Sequence, residues 1–183
     1  MSVIFARRSV RNFLPKEIEQ DKLERILRAG FEAPSAHNRR PWEFIVTTSQ
    51  EDREAIAEMS PYAKMLDQAA AAITVCVNRE RGCTDNPQDT WWIQDLSAAT
   101  ENILLQIVEE GLGGVWLGWY PDEARVTAFS QRFGLPPHIV PFSVVALGYP
   151  AKIPEPAFRF DTGKVHYGAY GKKDSRPPEY KKL

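Results

Sequence analysis

The feature that most constrains this 183-residue chain is the stretch between Trp91 and Gly111. Leu96, Ala99, Ile103, Leu104 and Ile107 recur at intervals of three and four, which is helical spacing. The pattern predicts a long central helix over roughly residues 91–110, ended by Gly111. Its length and apolar content require it to be buried, and a second subunit is one way to cover it.

The rest of the chain alternates short strands and helices. Asp21 and Glu24 have capping-box spacing, and Leu23, Ile26, Leu27 and Phe31 follow with helical period, so a helix is predicted over 21–32. Residues 33–42 are bounded by Pro34 and Pro41 and read as an ordered loop, either a site or a plain connection. Trp42 to Thr48 is rich in aromatic and β-branched residues and predicts a strand. Ser49 can cap a helix to about Met59, and Pro61 to Leu66 reads as a helical turn. Ala72 to Val77 predicts a buried strand and 78–90 a loop. Gly113 to Gly118 is a further strand, with a turn at Trp119-Tyr120-Pro121. Asp122 and Glu123 favour the first turn of a helix reaching Phe133. Ile139 to Leu147 is apolar, but Pro141 demotes its beginning to an edge or a bulge. From Gly148 onward periodicity is lost, so the tail is either disordered or wraps another surface.

Near the start lies Arg7-Arg8-Ser9-Val10-Arg11-Asn12-Phe13. Read as a helix ended by Pro15, it places Arg7 and Arg11 four apart and Arg8 and Arg11 three apart, on one surface. With Ser9 and free backbone N–H groups this makes a phosphate pocket; the alternative is a solvated basic face. Net charge is −1, so no global field draws nucleic acid, and any anion site is local. No apolar run approaches the roughly 20 residues of a membrane span. Arg7 and Arg8 interrupt the first residues, so no signal peptide is expected. Cys76 and Cys83 form neither a metal pair nor a disulfide framework, which points to a reducing, cytoplasmic setting. Gly111-Leu112-Gly113-Gly114 follows a helix and has Trp116 where a dinucleotide fingerprint needs glycine. His37, His138 and His166 are scattered without metal spacing. With no nucleophile–base signature, hard chemistry would have to come from a cofactor.

Taken in order, these segments resemble the FMN-dependent nitroreductases. The likeness rests on the Arg7–Phe13 start, the Ala33-Pro34-Ser35-Ala36-His37-Asn38 loop running into Pro41-Trp42, and Ala63-Lys64-Met65-Leu66. Gly111-Leu112-Gly113 leading to Trp116-Leu117-Gly118 continues it, as do Gly148-Tyr149-Pro150, Arg159-Phe160-Asp161 and Val165-His166-Tyr167. The resemblance implies an α+β fold, a central, mainly antiparallel sheet flanked by helices, in an intertwined homodimer with FMN at the subunit interface. It implies one FMN-binding domain over 1–183, with 150–183 wrapping the partner subunit. It assigns Arg7, Arg8 and Ser9 to the FMN phosphate, joined by Arg159, and Arg11 to the flavin N1 and O2. Lys64 would reach the pyrimidine edge or ribityl chain. Pro34, Ser35 and Asn38 would contact the flavin of the other subunit, and the backbone at Leu117 and Gly118 would face N5.

The implied activity is ping-pong transfer of two electrons from NADH or NADPH to a nitroaromatic, quinone or similar small molecule. Other flavin chemistry on the same fold, reductive dehalogenation or flavin breakdown, and a non-catalytic flavin-binding protein are the alternatives. Two departures stand out. The 78–90 segment is short where longer members build a lid, and Leu117 stands where some members have glutamate. The Glu, Tyr and Lys of dehalogenating relatives have no counterpart in 78–90; Glu179-Tyr180-Lys181 in the tail is the remaining trio.

Overall fold

The computed structural model describes residues 2–82, 89–155 and 159–173. Cys83, part of the 78–90 segment, and Glu179-Tyr180-Lys181 lie outside the described residues. Helices α1 (Val3–Ala6), α2 (Gln20–Phe31), α3 (Gln50–Glu58), α4 (Arg79–Gly82), α5 (Trp91–Glu109) and α6 (Glu123–Phe133) surround strands β1 (Trp42–Thr47), β2 (Ala71–Asn78), β3 (Gly113–Gly118) and β4 (Ile139–Gly148). The strands form one sheet in the order β1-β2-β4-β3, with every neighbouring pair antiparallel. The expected α+β architecture is thus present.

Alternation along the central strands explains the layering. Ile73, Val75, Val77, Val145 and Leu147 enter one core cluster with Leu23 and Ile26 of α2 and Leu96, Ile103 and Ile107 of α5. Ala72, Val144 and Ala146 point the other way, into a second cluster with Ile56 of α3 and Phe129 of α6. Side chains on a strand alternate between faces, so a sheet covered on both sides must be apolar at nearly every position. β2 is buried along its whole length for this reason. The long helix α5 is buried within its own chain, with Leu96, Ala99 and Ile103 fully covered. Among the described residues no helix is long and apolar enough to cross a membrane.

Several local expectations need correction. Residues 7–13 are not helical: α1 ends at Ala6, and the chain beyond it is extended. Ser9 bridges Gly114 in parallel, Val10 N–H donates to the Gly114 carbonyl at 3.0 Å, and Phe13 bridges Pro150. Burying Val10 and Phe13 in the second cluster outweighs the local helical spacing of the arginines. Asp21 and Glu24 make no capping box. The N-cap of α2 is Glu19, without a side-chain bond, while Asp21 pairs with Arg25 and Glu24 with Arg28 along the helix. The 33–42 loop contains a 3-10 turn at Ala36–Asn38, the helical turn after Pro61 falls at Lys64–Asp67, and the 78–90 loop begins with α4. Asp122 lies outside α6 as its N-cap, its carboxylate accepting the Arg125 N–H at 3.1 Å. Ser49 caps α3 as expected, through the Asp52 N–H.

β4 is interior, not an edge, and tolerates Pro141 at a bulge. Val75 faces Ser143 while Cys76 faces Pro141, so Phe142 is the extra residue. The Phe142 carbonyl receives both the Trp119 and Tyr120 N–H groups.

Candidate functional site

The described residues lining the cavity at the C-terminal end of β3 come from four separate parts of the chain. Its volume is about 480 Å³, and Arg11, Tyr62, Lys64, Leu117, Gly118 and Arg125 are among its lining residues. That volume is in the usual range of small-molecule sites.

Each element presents its residue for a traceable reason. The extended N-terminal segment turns Val10 and Phe13 inward, leaving Arg11 between them exposed toward the cavity. Gly113 permits this docking, since a Cβ there would lie 2.8 Å from the Val10 side chain. Lys64 opens the 3-10 turn whose flanking Ala63 and Leu66 are fully buried. Arg53 fixes that turn by donating from Nη1 to the Leu66 carbonyl at 2.9 Å. Leu117 is buried against the second cluster, whereas Gly118 is exposed where β3 ends.

Among the described residues, three cations and no carboxylate belong to the cavity lining. Asp122 meets Arg125 at 3.2 Å. Among the described residues Arg11 and Lys64 have neither an ion-pair nor a hydrogen-bond partner. Two unmatched cations at one cavity create a local positive potential, although the net charge of the chain is −1.

The structure therefore gathers Arg11, Lys64, Leu117 and Gly118 of the residues singled out from the sequence. It does not bring the others to this cavity within one chain. Arg7 pairs with Glu101 of α5 at 3.3 Å. Arg8 donates to the carbonyls of Phe5, Arg7 and Glu155, so it ties the end of α1 to the chain beyond β4. Ser9 is half-buried, and its backbone bridges Gly114. Pro34, Ser35 and Asn38 lie on a loop held by α5: Asp95, only 6% exposed, accepts the Ala36 N–H at 2.8 Å. Ser35 Oγ accepts the Arg40 N–H at 2.9 Å, and Asn38 Oδ1 accepts Arg40 Nε–H at 2.9 Å. Arg159 is exposed on the 159–173 segment. Ser60, Tyr62, Met65, Trp116 and Arg125 line the cavity without having been singled out. Tyr62 and Met65 flank Lys64 and could have been inferred from it. Arg125 carries no local signal beyond an i,i+3 pair with Asp122.

The sequence pattern described as the nitroreductase family matches residues 4–61 and 59–149. A relative from Archaeoglobus fulgidus, provisionally named an NADH dehydrogenase/NAD(P)H nitroreductase, is 42% identical over 91% of this chain and 95% of its own. The crystal structure of a similarly named protein from Bacteroides thetaiotaomicron superposes with a TM-score of 0.85 at 42% identity, covering 92% of this chain and 96% of that one. An FMN-dependent nitroreductase from Clostridium difficile superposes with a TM-score of 0.82 at 27% identity, over 92% of this chain and 99% of its own.

Proposed function

The chain belongs to the nitroreductase family, and from that premise we propose that its cavity is the flavin site of an FMN-dependent NAD(P)H oxidoreductase. The observation that carries this reading is the convergence of Arg11 and Lys64, both unmatched, on a cavity floored by the end of β3. The residues present fit a flavin: a slot of about 480 Å³ beside a strand end, with fixed positive charge and, among the described residues, no carboxylate in its lining.

FMN, when bound, accepts hydride from NAD(P)H and passes two electrons to a second substrate. The chain holds and tunes it. Arg11 would set positive charge beside the flavin N1 and O2, which gain negative charge on reduction, a preorganised electrostatic contribution, and Lys64 would reach the pyrimidine edge or the ribityl chain. The exposed Gly118 backbone allows close approach at the opposite edge. Arg7, Arg8, Ser9 and Arg159 are assigned to the phosphate, and Pro34, Ser35 and Asn38 to the flavin of a partner subunit. Pro34, Ser35 and Asn38 are not among the described residues lining the cavity, in keeping with a role at the site of a second chain. Exposed Ile4 and Phe5 of α1, with Leu14 and Ile153, supply apolar surface for such a homodimer. In the same reading the segment from residue 150 onward would wrap the partner, with 156–158 and 174–183 outside the described residues. The acceptor is a nitroaromatic, quinone or similar small molecule, reached by a ping-pong sequence, with neither nucleic acid nor membrane as partner. A reducing cytoplasm is the proposed setting; Cys76 is a buried free thiol whose pKa burial pushes up to about 12.

Purification supplies the test. The protein should be yellow with flavin absorbance, bleach anaerobically on NADH or NADPH, and recover colour when a quinone or nitroaromatic is added. A colourless protein that does not take up FMN would overturn the reading.

A further inference from the structure

The flavin reading uses Arg11 and Lys64 but leaves the third cation of the cavity, Arg125, without a role. Its guanidinium is held from several sides. Asp122 Oδ2 lies 3.2 Å from Nε, and Nη1 donates to the Gly118 carbonyl at 3.1 Å. Cζ stands 5.7 Å from the centre of the Tyr62 ring. The backbone beneath is anchored as well, since Trp119 Nε1 donates to the Arg125 carbonyl at 2.9 Å. The side chain is 22% exposed, so most of its rotamer freedom is already lost. Among the described residues its Nη2 edge has no hydrogen-bond partner.

Such an edge suits a planar oxyanion, because a guanidinium offers donors in a fixed fork. Asp122 already meets the charge from the Nε side, so recognition comes from directed N–H donors more than from net charge. Tyr62 is 73% exposed beside it and offers a flat ring to a second aromatic. We propose that Arg125 and Tyr62 form an acceptor subsite at the mouth of the cavity, selecting aromatic acceptors that carry a carboxylate. The carboxylate takes the Nη2 edge of Arg125 and the ring lies against Tyr62. This inference rests on the flavin reading.

The experiment compares 4-nitrobenzoate with its neutral methyl ester, which bears the same nitro group. The ratio of their kcat/KM values is measured on the FMN-loaded holoenzyme, because a ratio within one protein cancels differences in flavin loading. The wild-type ratio serves as the reference, because the ester's stronger electron withdrawal raises its intrinsic reactivity equally in every variant. R125Q should lower the ratio by about tenfold, the loss of one charge-assisted hydrogen bond, and R125K, which keeps the charge but not the fork, should fall between. In wild type, 4-nitrobenzoate should also perturb the absorbance of the oxidised flavin at lower concentration than the ester does. A wild type whose oxidised flavin absorbance responds to 4-nitrobenzoate no more tightly than to the ester overturns the proposal even if R125Q fails to fold. So does a yellow R125Q with an unchanged ratio, or one in which only the preference between NADPH and NADH moves. A protein that binds no FMN defeats the flavin reading itself, which these other outcomes leave standing.

Discussion

Replacing Asp95 separates hydrogen bonding from charge in the loop that carries Pro34, Ser35 and Asn38. The Asp95 carboxylate reaches this loop from α5 and accepts the Ala36 N–H at 2.8 Å. Burial holds its pKa above the ordinary carboxylate range; Asp89 adds to the rise, while the Ala36 N–H and Arg39 oppose it. The loop needs the anchor, because His37, Asn38 and Arg40 all have positive φ, between 50° and 55°. Such values are uncommon for residues with a side chain. In Asp95→Ala the half-buried Ala36 N–H loses its acceptor, which costs about 1–3 kcal/mol. In Asp95→Asn the side-chain oxygen can still accept that N–H, and no buried charge remains. The Asn variant should therefore match or exceed the parent at neutral pH. The raised folded-state pKa means that the folded protein holds more protons than the unfolded chain between the ordinary and the raised value. Parent stability from this group therefore falls as pH rises through that interval and stays lower above it. The Asn variant should lack this slope. Urea unfolding of the three proteins from about pH 4 to about pH 7 measures both effects, since the window must open near the ordinary Asp value. An Asn variant as unstable as the Ala variant, or one that keeps the parent slope, would refute the reasoning. FMN titration should show weaker binding in Asp95→Ala.

The remaining predictions concern the arginines, the N-terminal docking and the assembly. Arg11→Ala should lower the midpoint potential of bound FMN by about 30 mV for each 1.4 kcal/mol lost on reduction, whereas Arg7→Ala should weaken FMN binding with little change in potential. Redox titration of both variants saturated with FMN decides this; equal shifts, or a larger one in Arg7→Ala, would refute the assignments. Gly113→Ala drives a Cβ to 2.8 Å from Val10 and should cost about 1–3 kcal/mol by overpacking, read as a lower unfolding midpoint. Sedimentation of the FMN-bound protein should give a dimer at low concentration; a stable monomer with full flavin occupancy would contradict the two-chain site.

Much of the scaffold was legible because its causes are local. The period of Leu96, Ala99, Ile103 and Ile107 marks α5, the unbroken apolar runs mark β2 and β4, and Ser49 caps α3 through its own side chain. Lys64, Leu117 and Gly118 were reached by resemblance, since an ordered series of weak motifs is specific where each alone is not. The basic segment misled because the spacing of Arg7, Arg8 and Arg11 is equally compatible with a helix. Backbone partners distant in sequence, Gly114, Pro150 and Ala151 among them, hold it extended. The bulge at Phe142 was foreshadowed by Pro141, but the interior position of β4 depends on β2 and β3 flanking it. Arg125 is the extreme case. Its sequence neighbours show a routine pair with Asp122, while the cavity that gives it meaning is assembled from Arg11, Tyr62, Lys64 and the end of β3. Helix period, strand alternation and caps depend on residues a few positions apart and can be read along a chain. Backbone pairing across the fold and the convergence of charges on a cavity depend on which distant segments the buried clusters draw together, and tertiary packing alone decides that.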